Sequence, residues 1–363
     1  MNDEAFMALA LAEAVKAVGR THPNPAVGAV LVKNGKVISS GFTSPVGGPH
    51  AEAIALAVAG KKAKGATLYV TLEPCNHFGR TPPCSEAIIA AGVKRVVFAT
   101  RDPNPKVNGK GARRLRAAGL EVVEGVLKHA SIELNHPFFR FMTTGLPWVT
   151  LKVGVTLDGK IATSTGKSKW ISSEESRLVV HQLRDTIDAI LVGAGTVIAD
   201  DPLLTTRRED SKRARNPVRV VIDPNLRTDP KSAIYDAKVA RTILATRRPA
   251  PKHAERGTEV WPFTSIEDLM RSLAAEGLLH VMVEGGAATH AEFIKAGLVD
   301  ELVLFMGPRL FGHDGKTWSG MLGVTEAMKP YVFDHLDAVR VGPDLMVTAR
   351  RRATSTSRSR SRR

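Results

Sequence analysis

The sequence predicts two α/β domains in one chain. Its 363 residues and 39.0 kDa exceed what a single hydrophobic core usually organises. Strand and helix signals alternate in two blocks, as they do where helices cover a mostly parallel sheet. Residues 135–147 (NHPFFRFMTTGLP) separate the blocks. We therefore expect a first domain over residues 1–145, a second over 146–350 and a disordered Arg/Ser tail over 351–363.

The first block begins with an apolar-rich helix at 6–18 and a hairpin at 27–40 that turns at Asn34-Gly35. Asn-Gly is a strong signal for a two-residue turn. Ala51–Ala59 is rich in strong helix formers, so we expect His50 and Glu52 in its first turn. The elements that follow are strand 66–72, helix 85–91 ended by Gly92, strand 93–99, helix 113–118 and strand 120–124.

The second block predicts six strands and two helices. No Gly-x-Gly-x-x-Gly follows a strand, so the Rossmann fingerprint is absent. Gly193-Ala194-Gly195 and Gly285-Gly286 end strands and would let a cofactor approach the backbone, although such glycines alone are more typical of turns. The predicted strands are 148–155, 189–192, 219–223, 242–246, 281–284 and 301–306, and the helices are 173–183 and 287–296.

Composition excludes several classes of protein. The 43% hydrophobic and 24% charged residues are typical of a soluble globular protein. No apolar run reaches the roughly 18 residues of a membrane span, and the acidic start Met1–Glu4 does not resemble a secretory signal. With only two cysteines, both assigned to a metal below, no disulfide is expected, which favours the cytoplasm.

The formal charge of +15 is concentrated at the end of the chain. Residues 350–363 contain seven arginines and no acidic residue, and without them the charge is +8. This tail would suit RNA or an acidic surface, but a solvated extension is the favoured interpretation, so we do not expect a nucleic-acid partner. The remaining charge suits a phosphate-bearing substrate and cofactor equally well.

Both cysteines lie in residues 71–84 (TLEPCNHFGRTPPC), downstream of Pro49-His50-Ala51-Glu52. His50, Cys75 and Cys84 would hold zinc with one imidazole and two thiolates, which leaves the fourth tetrahedral position open for water. Zinc lowers the pKa of that water to about 7. Glu52 would carry protons between the water, the attacked carbon and the leaving nitrogen. This is the equipment for hydrolytic deamination of a heterocycle.

The spacing of the cysteines departs from that of nucleic-acid deaminases. Zinc deaminases carry His-x-Glu and Pro-Cys-x-x-Cys, whereas eight residues separate Cys75 from Cys84. Two alternatives stay open at this point. In the first, the cysteines would be buried structural thiols without a metal. In the second, the zinc would be structural and would take His77 as its fourth ligand.

Further motifs resemble one enzyme family over about residues 1–350. They are residues 21–28 (THPNPAVG), 152–160 (KVGVTLDGK), 195–205 (GTVIADDPLLT) and 283–286 (VEGG), together with the zinc segment. In combination they resemble the bifunctional deaminase/reductase family of riboflavin biosynthesis. The Arg/Ser tail has no counterpart in this pattern.

The resemblance implies a fold and a function. The fold is an N-terminal cytidine-deaminase-like three-layer domain followed by a C-terminal dihydrofolate-reductase-like α/β domain. The cofactors are zinc and NADPH. The substrate is 2,5-diamino-6-ribosylamino-4(3H)-pyrimidinone 5′-phosphate, which is first deaminated, after which its ribosyl group is reduced to ribityl. We also expect a homo-oligomer.

In the first domain the resemblance places Asn24 at the substrate ring. Relatives carry Gly-Tyr-His near the substrate phosphate, where this chain has Gly41-Phe42-Thr43. We therefore expect His77 and Arg80 to bind the substrate instead.

In the second domain, positive charge at the end of a strand suggests that Arg247-Arg248 would clasp the 2′-phosphate of NADPH, with a plain surface pair as an equal alternative. Pro224 stands where relatives often carry Ser, which removes one hydroxyl contact. Lys152 would position the substrate or assist proton transfer, with an ordinary ion pair as the alternative.

The resemblance implies two groups of contacts in the second domain. NADPH contacts are expected at Val155, Trp170, Thr196, Asp200, Gly286, Ala287, Ala288 and Thr289. Substrate contacts are expected at Lys152, Ser168, Leu204, Arg207 and Glu284.

Three rival functions remain at the level of sequence. The chain would be a nucleic-acid deaminase with an accessory domain, a zinc-stabilised binding module without catalysis, or a deaminase whose second half is inactive. The long cysteine spacing and the motifs of the second block argue against the first of these.

Overall fold

A computed structural model describes residues 1–77, 82–105, 107–208, 210–211, 214–326 and 330–351. The described residues form two compact units, residues 1–147 with 271–279 and residues 148–270 with 280–351. The expected Arg/Ser tail lies outside the described residues, apart from Arg351. Among the described residues, no helix combines the length and the apolar character needed to span a membrane.

The first unit is built on a five-stranded sheet with the strand order β2-β1-β3-β4-β5. Its strands are β1 Gly28–Lys33, β2 Lys36–Phe42, β3 Thr67–Leu72, β4 Arg95–Thr100 and β5 Glu121–Glu124. Its helices are α1 Asp3–Val15, α2 Ala51–Ala59, α3 Cys84–Ala90, α4 Lys110–Ala117, α5 Lys128–Leu134 and α6 His136–Thr144.

The expectation of a mostly parallel sheet is wrong for this unit. Strands β3, β4 and β5 run parallel, but β1 pairs antiparallel with both β2 and β3. The cause is local for the first pair, because Asn34 and Gly35 both adopt positive φ, 51° and 72°, and close a tight hairpin. The sheet is therefore mixed.

Helices cover both faces of this sheet, which makes three layers. On one face, Phe6 and Met7 of α1 pack against Val30, Tyr69 and Val97. The other face carries the larger core, to which α2, α3 and α4 contribute the buried side chains Ala51, Ala55, Leu56, Ile88 and Leu115.

The turn after β3 is locked to the start of α4. The buried carboxylate of Glu73 accepts the Gly109 N–H at 2.8 Å and the Ala112 N–H at 3.0 Å. A Cβ on Gly111 would lie 1.9 Å from the carbonyl oxygen of Pro74, so only glycine permits this approach. The segment that leads to Cys75 is thereby held in place.

The second unit is built on a nine-stranded sheet with the order β11-β10-β9-β8-β12-β6-β13-β16-β15. All neighbours from β11 to β13 are parallel, and β16 and β15 add antiparallel at one edge. The strands of this sheet are β6 Trp148–Thr156, β8 Ala189–Gly193, β9 Val218–Ile222, β10 Thr242–Thr246, β11 Glu259–Pro262, β12 His280–Val283, β13 Glu301–Gly307, β15 His335–Val341 and β16 Asp344–Arg350. Strands β7 Lys160–Ala162 and β14 Lys316–Thr317 form a separate antiparallel pair. The helices are α7 Glu174–Thr186, α8 Ala194–Asp200, α9 Pro251–Ala254 and α11 Ala287–Lys295, together with α10 Ile266–Ala275, whose last residues from Arg271 belong to the first unit.

The six strands expected in the second block are present, while the hairpin β15–β16 was not predicted from the sequence. Strand β15 is exposed over His335–Arg340, so it lacks the alternating apolar pattern that marks a half-buried strand. Its partner β16 is held by full pairing to β13. Tertiary pairing decides the conformation of this edge.

Replacement of Gly111 by Ala is predicted to destabilise the first unit by about 1–3 kcal/mol, the usual cost of overpacking. The new methyl group would meet the Pro74 carbonyl rather than a flexible side chain. Thermal and denaturant unfolding of the purified variant measures the loss. Lys110→Ala, an exposed change one residue earlier in α4, is the control and should stay within about 0.5 kcal/mol of the wild type. Equal stability of the two variants would contradict the prediction.

Candidate metal centre and a second ligand cavity

The three predicted ligands converge at the ends of three elements. His50 is the N-cap residue of α2, one residue before the turn in which it was expected, and Cys84 is the first residue of α3. Cys75 follows β3. The imidazole Nδ1 of His50 lies 3.3 Å from the sulfur of Cys84 and 3.7 Å from that of Cys75.

These distances fit zinc. Bond lengths of 2.0–2.3 Å in a tetrahedral zinc site place the ligand atoms about 3.3–3.8 Å apart. The three ligand atoms lie within 4.8 Å of one another, and the group has no fourth member in the part of the chain that the structure describes. His77 does not belong to it, so the alternative of a closed structural site with His77 has no support.

Hydrogen bonds within the group separate the pKa values of the two thiols. The pKa of Cys75 is lowered to about 4, chiefly because the Cys84 side chain donates to its sulfur, with further help from His50 and from the Cys84 N–H at 3.3 Å. The pKa of Cys84 is raised, because its thiol donates that bond and is buried. The hydrogen bond to Cys75 likewise raises the pKa of His50. Metal binding therefore displaces protons from this group.

Glu52 is a buried carboxyl group beside these ligands. It lies in the first turn of α2, and its side chain is only 4% exposed. Burial raises the pKa of Glu52 to about 7, and the negative charge of Cys75 adds to the effect. A group with a pKa near neutrality can both take up and release a proton, which is what a proton carrier requires.

A cavity of about 510 Å³ opens onto His50, Glu52 and Cys75. Asn24 and His77, the predicted substrate residues, line it, and Arg80 lies outside the described residues. The Nδ1 atom of His77 is buried and has no hydrogen-bond partner among the described residues. It is therefore available to a ligand in the cavity.

Two further polar residues on this cavity wall were not predicted from the sequence. Asp102 and Asn104 follow β4, and the Asn104 N–H donates to the Asp102 carboxylate at 2.8 Å. Burial raises the pKa of Asp102 to about 6, although that hydrogen bond opposes the shift. One sequence feature could have identified these two residues: they belong to the motif Asp-Pro-Asn-Pro, which follows a predicted strand of a parallel sheet, and ligands commonly bind at the carboxyl ends of such strands.

The second unit contains a larger cavity of about 990 Å³ at the carboxyl ends of β8, β9 and β10. Most of the predicted cofactor residues line it: Thr196, Asp200, Gly286, Ala287, Ala288 and Thr289. Ser168, which was assigned to the substrate, and Pro224 line it as well. Of the arginine pair, Arg247 lines the cavity and Arg248 does not.

The other predicted residues of this unit lie off that cavity wall. Val155 is buried in β6, opposite Met306 of β13, and Trp170 is 61% exposed with the Arg177 guanidinium 4.4 Å from its ring. Leu204 is buried and Arg207 is exposed.

Lys152 and Glu284 meet in a buried charge cluster with Arg184. The Lys152 ammonium lies 3.2 Å from the Glu284 carboxylate, and Arg184 donates two hydrogen bonds of 3.0 Å to the same carboxylate. Burial opposes ionisation, but the charges of Arg184 and Lys152 hold the pKa of Glu284 at about 2. The ion pair considered for Lys152 is thus present. Arg184 was missed because nothing in α7 alone indicates that it points to this carboxylate.

Family models match both halves of the chain. Residues 1–100 match the cytidine and deoxycytidylate deaminase zinc-binding region. Residues 147–347 match the RibD C-terminal domain.

Individual relatives match almost the whole chain. A riboflavin biosynthesis protein RibD from Aquifex aeolicus is 45% identical over 354 residues, which cover 96% of this chain and 98% of the relative. The RibD protein of Escherichia coli is 39% identical over 368 residues, with coverage of 95% and 98%.

Solved structures show the same fold. RibD from Acinetobacter baumannii aligns with a TM-score of 0.90 at 35% identity and covers 97% of this chain and 99% of its own. A diaminohydroxyphosphoribosylaminopyrimidine deaminase/5-amino-6-(5-phosphoribosylamino)uracil reductase from Thermotoga maritima aligns with a TM-score of 0.87 at 39% identity, with coverage of 96% and 99%.

The ligand set predicts which substitutions abolish metal binding. Cys84→Ser should lose the bound zinc, because a hydroxyl is a poor replacement for a thiolate ligand. His77→Ala should retain it, since His77 is outside the ligand group. Elemental analysis of the purified full chain measures zinc per polypeptide. Loss of zinc from His77→Ala would show a closed four-ligand site and contradict the assignment.

Proposed function

Because this chain belongs to the RibD family of riboflavin biosynthesis proteins, we propose that its two cavities hold the active sites of the family's two reactions. The chain is a bifunctional enzyme, a zinc-dependent deaminase and an NADPH-dependent reductase of riboflavin biosynthesis. We assign the deaminase to residues 1–145 and the reductase to residues 146–350. One observation carries the deaminase assignment: a three-ligand metal group and a buried carboxyl group open onto the same cavity.

In the deaminase site, Glu52 moves the protons. His50, Cys75 and Cys84 would hold zinc, which would activate a water molecule when bound. Glu52 would take one proton from that water and return it to the amino group, which leaves as ammonia; the second proton of the water ends on the ring nitrogen as the ring carbon becomes a carbonyl. The substrate is the phosphorylated diamino-pyrimidinone that the resemblance implies.

Side chains of the cavity wall bind this substrate. Asn24 hydrogen-bonds the ring, and His77 offers its unpartnered Nδ1. Arg80 contributes its positive charge toward the phosphate. Thr43 cannot replace the histidine of the relatives, because its hydroxyl already bonds the backbone of Val27.

For the reductase site, we assign NADPH to the 990 Å³ cavity and the substrate to the charge cluster of Lys152, Arg184 and Glu284. NADPH, when bound, would supply a hydride to the first carbon of the ribosyl group in its ring-opened imine form, while the imine nitrogen takes up a proton. Thr196, Asp200 and the stretch Gly286–Thr289 bind the cofactor, together with Val155 and Trp170. Lys152, Glu284, Ser168, Leu204 and Arg207 orient the phosphorylated substrate.

Two further expectations stand as proposals. A cytoplasmic location rests on the cysteine usage, and a homo-oligomeric state rests on the resemblance. The rival of a nucleic-acid deaminase has less support, since the second half of the chain matches a reductase domain and a 510 Å³ cavity suits a small molecule.

Glu52→Gln is predicted to lower the rate of ammonia release by about 10²–10⁴-fold, because the amide cannot shuttle a proton. Zinc content should be unchanged, since Glu52 is not in the ligand group. Reduction of the deaminated substrate, followed as NADPH oxidation at about 340 nm, is the folding control and should proceed at the wild-type rate. Ammonia release near the wild-type rate with zinc retained would refute the role of Glu52.

Arg247 is predicted to recognise the 2′-phosphate of NADPH. Its guanidinium lies 5.4 Å from the Phe263 ring, and no carboxylate partner exists for it or for Arg227, also on the cavity wall, among the described residues. Arg247→Ala should raise the KM for NADPH about 10–100-fold, the loss expected for a charged hydrogen bond. The KM for NADH, which lacks that phosphate, should change little.

Arg248→Ala is the matched control, because Arg248 is the adjacent arginine and lies off the cavity wall. Its steady-state constants for both nucleotides should resemble those of the wild type. If Arg247→Ala weakens NADH and NADPH equally, Arg247 does not bind the 2′-phosphate.

A further inference from the structure

Residues 203–207 form a segment outside the helices and strands whose backbone is held by surrounding side chains. Arg219 donates to the carbonyl of Leu203 at 3.3 Å, and Arg184 donates to that of Thr205 at 3.1 Å. The Thr206 N–H donates to the Asn216 side chain at 2.9 Å, and the Arg207 N–H donates to Nδ1 of His181 at 3.3 Å. The conformation is therefore determined by side chains from elsewhere in the unit.

The segment is also anchored by its own buried residue. The Leu204 side chain is 7% exposed and packs in the core with Ile190 and Val192 of β8. Its backbone adopts a φ of 51°, a region that branched and bulky residues rarely enter. Such a conformation persists where the surroundings over-determine it.

His181 is suited to accept a hydrogen bond at this place. An imidazole whose Nδ1 accepts carries its proton on Nε2 and is neutral. Burial, followed by the positive charges of Arg184, Arg207 and Lys152, lowers the pKa of His181 to about 4, although Glu284 opposes the shift. The ring therefore stays an acceptor at neutral pH.

We propose that His181 is a positioning residue of the reductase, which fixes the Arg207 backbone so that the Arg207 guanidinium is directed at the substrate phosphate. The inference rests on the proposed function, in which Arg207 contacts that phosphate. Arg207 is exposed, and no ion pair with a carboxylate is formed by its side chain within the described part of the chain. The position of its backbone, rather than an ion pair, therefore limits where its guanidinium can reach.

Helix α7 connects this segment with the charge cluster. His181 and Arg184 are three residues apart and lie on the same side of the helix. Arg184 bonds the Thr205 carbonyl and the Glu284 carboxylate together. One helix thus holds the phosphate-directed arginine and the carboxylate beside Lys152 in a fixed relation, so that less ordering is needed when the substrate binds.

The test compares three substitutions of His181 in the full-length zinc-loaded protein. His181→Phe keeps a ring but has no acceptor, and His181→Asn places Oδ1 where Nδ1 was. His181→Ala also removes the acceptor and introduces no larger side chain, so it replaces His181→Phe in the test if the Phe ring does not fit. Steady-state reduction is measured with the deaminated substrate and NADPH, and ammonia release from the first active site is the folding control.

His181→Phe is expected to raise the KM for the deaminated substrate about three- to tenfold, the loss expected when one long side chain must be ordered on binding. The kcat and the KM for NADPH should stay within about twofold. His181→Asn should restore the substrate KM. A merely structural role would change the two KM values together and would not be rescued by Asn.

Two outcomes overturn the inference. The inference is wrong if the substrate KM is unchanged in both His181→Phe and His181→Ala. It is also wrong if His181→Phe raises the substrate KM and His181→Asn raises it equally. Arg207→Ala, measured in parallel, separates the inference from the function on which it rests. If Arg207→Ala raises the substrate KM and the His181 variants do not, only the positioning role fails. If Arg207→Ala has no effect, the substrate contact itself is wrong, and the positioning role fails with it.

Discussion

The first half of the molecule depends on keeping one carboxyl group buried beside three metal ligands. Glu52 is almost fully buried. Two hydrogen bonds from backbone N–H groups join Cys75 to the start of α3: Cys84 N–H donates to the Cys75 sulfur at 3.3 Å, and Ser85 N–H donates to the Cys75 carbonyl at 3.1 Å. The Glu73 carboxylate adds a third constraint, because it accepts hydrogen bonds from two N–H groups at the start of α4 and so fixes the residues before Cys75 to that helix. These contacts join α3, α4 and the end of β3, so the ligands occupy element ends whose positions the core determines.

The reductase half also contains a carboxylate that is largely shielded from solvent, and there neighbouring positive charges stabilise it. Glu284 follows β12 with its side chain 10% exposed, and two cations hold it ionised. A buried carboxylate of this kind is stable only with its partners in place, because removal of one leaves an uncompensated charge. Arg184 is therefore both a support for residues 203–207 and a counter-ion of Glu284, which ties the conformation of that segment to the stability of the charge cluster.

Both halves place their polar groups beyond the carboxyl ends of parallel strands. In the first, Cys75 follows β3 and Asp102 follows β4, and in the second, the cavity opens where β8, β9 and β10 end. Loops at this edge are free of the sheet's own hydrogen bonding and are still held by rigid strands. The same geometry thus accommodates hydrolysis in one unit and hydride transfer in the other.

Short-range patterns in the sequence predicted several features that the structure shows: the grouping of His50, Cys75 and Cys84, the place of Glu52 in the first turn of α2, the hairpin at Asn34-Gly35 and the bounds of α2. Each depends on residues close in the chain, whose chemistry or backbone preference acts locally. Only the tertiary structure decided the antiparallel pairing of β1 with β3, the β15–β16 edge and the arrival of Asp102, Arg184 and His181 at their sites. Those features arise from contacts between residues far apart in sequence, which are set by how the layers pack and which leave no local pattern to read.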